Sequence, residues 1–184
     1  MNDRYFKMSF RMIRRAHDGW LIHKLVDPEQ VLKRLCMKEG DVVFEIGCGP
    51  GFYTVGASRI VGHAGVVYAY DINPYAIRHV ENKIENQKLC NVRAVEGNAN
   101  NTAIENNAVD FAFVFGVPRI VGGIDGLVDE INRVLKPSGI LVWNVRKSSV
   151  EEFDAIMGKR GYEIVRSGGR YRTYRLQNND KSAT

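Results

Sequence analysis

Residues Asp41 to Thr54 read DVVFEIGCGPGFYT. A short apolar run carries one carboxylate, Glu45, and breaks at three glycines, Gly47, Gly49 and Gly51, spaced every second residue. An apolar run that stops at glycines and continues into a longer, helix-length segment reads as strand, tight turn and helix. In an open α/β sheet the ligand sits outside the carboxyl ends of the strands, so this turn marks the binding edge. A dinucleotide fingerprint, G-x-G-x-x-G, would need its third glycine at position 52, which is Phe52. Glu45 also puts a carboxylate where a pyrophosphate would be repelled. A cofactor with a positive end suits this turn better than one with phosphates.

Outward from the turn, strand-like runs alternate with helix-like segments. The further strand candidates are GVVYAYDI, NVRAVEGN, VDFAFVFG and GILVWNV, and near-continuous apolar strands joined by helices predict a parallel sheet covered on both faces. Asn73 and Pro74 open a helix with Ala76, Val80 and Ile84 along one face. After the fifth strand comes a helix in SSVEEFDAIMGKRG, then YEIVRSGGRYRTYRLQ, two runs split by Ser-Gly-Gly that read as an antiparallel hairpin. Before the turn, Phe6, Phe10, Ile13, His17, Trp20 or Leu21, and Leu25 recur at helical steps. A second short helix is capped by Asp27, starts at Pro28 and is expected to stop at Gly40.

With 184 residues, 45% of them apolar, the chain is sized for one domain: a helical cap over 1–39, an α/β core over 40–178 and a tail over 179–184. No apolar run reaches bilayer length and the N-terminus lacks a signal-peptide core, so the expected location is cytoplasmic. Cys36, Cys48 and Cys90 stand 12 and 42 residues apart, which fits neither a disulfide framework nor a zinc site, so they read as reduced thiols. The charge is uneven. Residues 1–34 carry net +4 and residues 159–184 net +5, while 35–158 carry net −4.

These motifs resemble the class I S-adenosylmethionine-dependent methyltransferases, within them the broad type 11 group that includes the quinone-biosynthesis C-methyltransferases. S-adenosylmethionine has an ammonium and a sulfonium and no phosphate. EIGCGPG is similar to the family's first motif, YAYDINP to its second, EGNANNTAIENNAVDFAF to its third and fourth, and INRVLKPSGILVW to the turn before strand five. The resemblance implies a three-layer Rossmann-like sheet of seven strands, order 3-2-1-4-5-7-6 with strand 7 antiparallel, preceded by helices. It implies that Glu45, Gly47, Gly49 and Gly51 serve the methionine portion, that Asp71 accepts from both ribose hydroxyls, and that Asn98 faces the adenine amino group. Cys48, Ile72, Ala99, Phe115 and Gly116 are counted with them as cofactor-binding. Asn98 stands where the family usually has Asp, so its amide oxygen would accept without charge. Phe-Gly-Val-Pro at the end of strand four lacks the motif of enzymes that methylate base amines. Carboxylates that hold a metal in catechol-type relatives are missing after strands four and five, so no metal is expected.

Methyl transfer from a sulfonium is an in-line displacement and needs a base only when the acceptor must first lose a proton. The catalytic residues therefore stay unassigned at this point, and so does the acceptor. The basic ends, with Arg11, Arg14, Arg15, Arg166, Arg170 and Arg172, are expected to converge near the substrate entrance toward an anionic partner. RNA, a membrane holding a lipid quinone precursor, and a small acidic metabolite all remain open as partners, as does the oligomeric state. The alternative to an enzyme is a non-catalytic S-adenosylmethionine-binding or partner-scaffolding subunit. Gly56 reads as a small residue where the first helix of the core packs on the sheet.

Overall fold

The structure, a computed structural model, describes residues 3–17, 26–117, 120–144, 150–168 and 171–177. Trp20, Leu21, Leu25, Arg170 and the expected tail lie outside the described residues, as does the side chain of His17. Helix α1 spans Asp3–His17 and α2 spans Pro28–Arg34. Asp27 Oδ1 accepts from the backbone N–H of Glu29 at 2.9 Å and of Gln30 at 3.2 Å, as a helix cap should. The helix ends at Arg34 and not at Gly40. The N–H groups of Leu35, Cys36 and Met37 turn back to the carbonyls of Val31, Leu32 and Lys33, and Cys36 takes the left-handed conformation, with φ 77°. Those bonds satisfy the last helical carbonyls well before the glycine.

Strand β1 is Val42–Ile46, β2 Val66–Asp71, β3 Val92–Glu96, β4 Val109–Val114, β5 Leu135–Asn144, β6 Tyr162–Gly168 and β7 Tyr171–Leu176. They form one sheet in the order β3-β2-β1-β4-β5-β7-β6, with β7 antiparallel to both neighbours and the other pairings parallel. The expected order and the expected antiparallel strand are both present. Helices α3 (Phe52–Val61), α4 (Pro74–Gln87), α5 (Gly123–Val134) and α6 (Val150–Lys159) make the connections.

Alternation along the strands builds two cores. Phe44, Ile46, Ala112 and Val114 face one side, where Leu127 and Ile131 of α5 and Phe153 and Met157 of α6 cover them. Val43, Phe111 and Phe113 face the other, under Leu32 of α2, Ala57 and Val61 of α3 and Val80 of α4. Each of the larger side chains here contributes about 1.5–3 kcal/mol by leaving water, which is why both faces must be covered. Gly56 serves a contact other than the expected one. A Cβ there would lie 3.3 Å from Pro28 Cβ and 3.4 Å from the Glu29 backbone, so its smallness lets α2 approach α3.

The Leu-Lys-Pro-Ser-Gly stretch is part of β5. The register against β4 jumps from Val109↔Leu135 to Phe111↔Ile140, so these residues form a bulge inside the strand. Beyond it, Glu130 on α5 pins the segment after β3. Its Oε1 accepts from the Thr102 N–H at 2.7 Å, and Arg133 donates to both of its oxygens. Arg133 and then Thr102 hold its carboxyl down at about 2 against the penalty of burial. The segment fixed in this way carries one wall of the cavity described next.

Candidate functional site

Parallel pairing brings the carboxyl ends of β1, β2 and β4 side by side, with Ile46 opposite both Tyr70 and Val114. The chain leaving β1 folds over the end of β2: the N–H groups of Gly47 and Cys48 both donate to the Tyr70 carbonyl, at 2.8 and 3.0 Å. Gly47, Gly49 and Gly51 all have positive φ, 76°, 53° and 76°, which side-chain-bearing residues adopt at a cost. At Gly47 space forbids a side chain as well, since a Cβ would lie 2.4 Å from Val117 Cγ2.

Two carboxylates flank this turn. Asp71 ends β2, and its Oδ2 accepts from the Gly49 N–H at 2.9 Å while its Oδ1 accepts from the Asn73 N–H at 2.8 Å. The Ile72 N–H bears on this carboxylate as well, which has acceptor sites for about four donors. Burial pushes the Asp71 carboxyl up, and the N–H groups of Asn73 and Gly49 pull it back. Glu45 is 2% exposed, and its Oε2 accepts from Thr54 Oγ1 at 2.6 Å. Burial pushes the Glu45 carboxyl up to about 8; the Thr54 bond opposes that shift, and the charge of Asp71 adds to it. Cys48 is buried beside them, and burial and then the Glu45 and Asp71 charges raise its thiol well above the ordinary value, so it remains protonated and inert.

A cavity of about 250 Å³ opens over this edge. Ten of the eleven expected cofactor residues line it: Glu45, Gly47, Cys48, Gly49, Asp71, Ile72, Asn98, Ala99, Phe115 and Gly116. Gly51 does not. It is the residue before α3, donates its N–H to the Cys48 carbonyl, and faces Val80, 3.0 Å from where a Cβ would be. Its task is to turn the chain into the helix. Asn98 Oδ1 already accepts from the Asn100 N–H at 3.1 Å, an Asx turn, and Gly97 donates to the Asp71 carbonyl at 3.0 Å. That bond ties the β3 loop to β2.

Several lining residues are ones the sequence reading did not single out. α1 roofs the cavity through Phe6, Ser9 and Ile13, held there because Asn73 Nδ2 donates to the Phe6 carbonyl at 3.0 Å and the Tyr75 hydroxyl to Asp3 at 2.9 Å. Phe10, on the same face, packs edge-on against His79. The helical stripe containing Phe6 and Ile13 was readable, but periodicity shows that a face is buried and does not show what it covers. Next to the turn, where Phe113 pairs in register with Glu45, stands a cluster of aromatic rings. Phe115 lies 4.9 Å from Tyr53, 4.8 Å from Phe113 and 4.9 Å from Tyr171, ring centre to ring centre, and the Tyr53 and Tyr171 hydroxyls are 3.4 Å apart.

The charge of the lining is one-sided: among the described residues it includes Glu45 and Asp71 and no Lys, Arg or His. The expected meeting of arginines at the entrance does not occur for Arg166 and Arg172. Arg166 pairs in register with Thr173, so Arg172 points to the opposite face of the sheet. Arg172 Nε sits 3.5 Å from Asp154 on α6, and Arg166 donates to the Arg34 carbonyl at the end of α2. Arg11, Arg14 and Arg15 are exposed on α1 and do not line the cavity.

The residues present fit S-adenosylmethionine. Glycines leave backbone at the surface of the turn, the buried Glu45 and the half-buried Asp71 supply carboxyl groups that a bound cation would favour as carboxylates, and among the described residues no Lys, Arg or His lines the cavity to neutralise a pyrophosphate.

Residues 44–143 match the model of the methyltransferase domain family. Demethylmenaquinone methyltransferase from Geobacillus sp. (strain WCH70) is 30% identical over 139 residues, 75% of this chain and 56% of the relative. Its counterpart from Staphylococcus saprophyticus is 31% identical over 115 residues, covering 62% of this chain and 48% of that protein. The chain thus spans about half the length of these relatives. Among solved structures, a SAM-dependent methyltransferase from Aquifex aeolicus superposes with a TM-score of 0.75 at 28% identity, covering 90% of this chain and 95% of that one. A structure from Methanococcus maripaludis shares the fold at a TM-score of 0.80 and 16% identity, covering 100% and 99% of the two chains.

Proposed function

The chain belongs to the methyltransferase domain family, and we propose that it transfers a methyl group from S-adenosylmethionine to an apolar, aromatic acceptor of quinol type. The observation that carries this reading is one cavity whose lining combines two carboxyl groups and a glycine turn with the rings of Tyr53, Phe113 and Phe115.

S-adenosylmethionine supplies an electrophilic methyl carbon on a sulfonium, which departs as a neutral thioether and needs no proton. On the protein side, Glu45 would hold the positive end of the ligand, and the remaining acceptor capacity of Asp71 would serve its ribose hydroxyls. Ile72, Asn98 and Ala99 line the part of the cavity left for the adenine. Phe113, Phe115 and Tyr53 then offer a ring surface that excludes water and holds a flat acceptor against the methyl group. Aromatic stacking of that kind contributes about 0.5–1.5 kcal/mol beyond burial. Positioning is the larger effect: holding the reacting atoms aligned at contact distance can supply roughly 7–11 kcal/mol. The names of the Geobacillus and Staphylococcus relatives point to the same acceptor class.

The test is to incubate the protein with methyl-labelled S-adenosylmethionine and a cell extract, then separate lipid, RNA, protein and small-molecule fractions. Label is expected in the lipid fraction. Label confined to RNA or to water-soluble metabolites would overturn the acceptor assignment, and label in no fraction would favour a non-catalytic cofactor-binding subunit.

A further inference from the structure

Helix α1 uses only one of its faces in the fold. Phe6, Phe10 and Ile13, at helical steps, turn toward α4 and the cavity, and none of them is exposed. The opposite arc carries Arg4, Met8, Arg11, Met12 and Arg15, again at helical steps, and all five are exposed. Met8 is 58% exposed and Met12 68%; Tyr5, 50% exposed, stands at the edge of this face and also lines the cavity. Of the six large apolar side chains that are exposed among the described residues, these three lie on one helix. Lys7 and Arg14 flank the arc and are exposed too, so the helix presents five basic residues against the single acid Asp3.

We propose that this outer face of α1 docks the protein on an anionic lipid bilayer, with the helix lying in the plane of the interface. A helix with apolar side chains set among basic ones is what such a surface binds: the methionines enter the boundary layer while the arginine stems lie along it and keep their charges at the headgroups. Charge decides among occupants. Residues 35–158 carry net −4, so the attraction to an anionic surface is concentrated at the basic ends of the chain, α1 among them, and orients the chain with its cavity roof toward the bilayer. A second copy would bring one basic α1 against another. RNA would engage the arginines and leave Met8 and Met12 without a role. Docking of this kind would set the opening beneath α1 against the layer that holds a lipid-borne ring; that consequence rests on the acceptor reading above, whereas the docking does not.

Co-sedimentation of the whole chain with phosphatidylcholine vesicles, with and without phosphatidylglycerol, tests it in the absence of methyl donor and acceptor. The protein is expected to partition onto the phosphatidylglycerol vesicles alone and to be released by high salt. Replacing the exposed pair, Met8→Ser with Met12→Ser, should lower partitioning at least about tenfold, and Arg11→Gln with Arg15→Gln likewise, while both variants bind S-adenosylmethionine as the wild type does. No partitioning onto phosphatidylglycerol, equal partitioning of the methionine variant, or binding to an RNA oligonucleotide with none to vesicles would each overturn the proposal. Because the assay contains neither methyl donor nor acceptor, its failure leaves the proposed transfer standing, and the converse holds.

Discussion

Replacing Asp71 with alanine is expected to weaken S-adenosylmethionine binding about a hundredfold, measured by calorimetric titration. Hydrogen bonds to a charged group are worth roughly 1.5–3 kcal/mol each, and about 1.4 kcal/mol is a factor of ten, so losing the acceptor for two ribose hydroxyls reaches that size even without full additivity. The free protein is affected too. The Gly49 and Asn73 N–H groups both lose their carboxylate partner, at 2.9 and 2.8 Å in the wild type, so the glycine turn loosens and the melting temperature falls. Asp71→Asn separates the two effects. Its amide oxygen still accepts from one of the two N–H groups while its NH2 faces the other, so part of the fold stability returns while binding stays well below wild type. Unchanged affinity in Asp71→Ala would remove Asp71 from the cofactor site.

The second large effect is a pH dependence set by Glu45. Its folded-state carboxyl is pushed up to about 8, above an ordinary 4.5, so the free protein holds that proton through neutral pH. A cation bound beside it favours the carboxylate, and binding then releases the proton. Affinity for S-adenosylmethionine should therefore rise with pH by up to about tenfold per unit between about pH 6 and 7.5, above which an α-amino group begins to lose its own charge. The sign for stability is the reverse. A folded pKa above the unfolded one gives stability that is complete below 4.5 and is lost as pH rises toward 8, at up to about 1.4 kcal/mol per unit in the free protein. Glu45→Gln should flatten both slopes, as followed by titrations and thermal melts across the pH range. A wild-type affinity that is level over this range would show that Glu45 does not face the positive end of the ligand.

Most of the sheet could be read from the chain, because each strand carries its own signal: apolar runs ending at Gly47, Asp71, Gly97 and Phe115. The spacing of glycines, with Phe52 where a dinucleotide turn needs glycine, argues in the chain itself for a cofactor other than a dinucleotide. What escaped reading depends on contacts between distant segments. Gly51 belongs to the motif but faces Val80 of α4, a residue distant in sequence. Gly56 is small for the sake of Pro28 and not for the sheet. Arg166 and Arg172 look like neighbours on a basic hairpin, yet the strand pleat sends them to opposite faces, one to α2 and one to Asp154. A helical cap over residues 1–39 is expected from the sequence, but the contacts that seat it could not be read from the chain: they depend on Asn73 and Tyr75 catching α1, and neither partner is near it in sequence.

Central to all of this is that the carboxylate-flanked turn binds a cationic, phosphate-free nucleoside. Titration of the wild-type protein with S-adenosylmethionine and, separately, with a nicotinamide dinucleotide at neutral pH tests it most directly. Saturable one-to-one binding of S-adenosylmethionine with uptake by the buffer of the proton released from Glu45, and no binding of the dinucleotide, is the expected result. Binding of the dinucleotide, or none of S-adenosylmethionine, would contradict it.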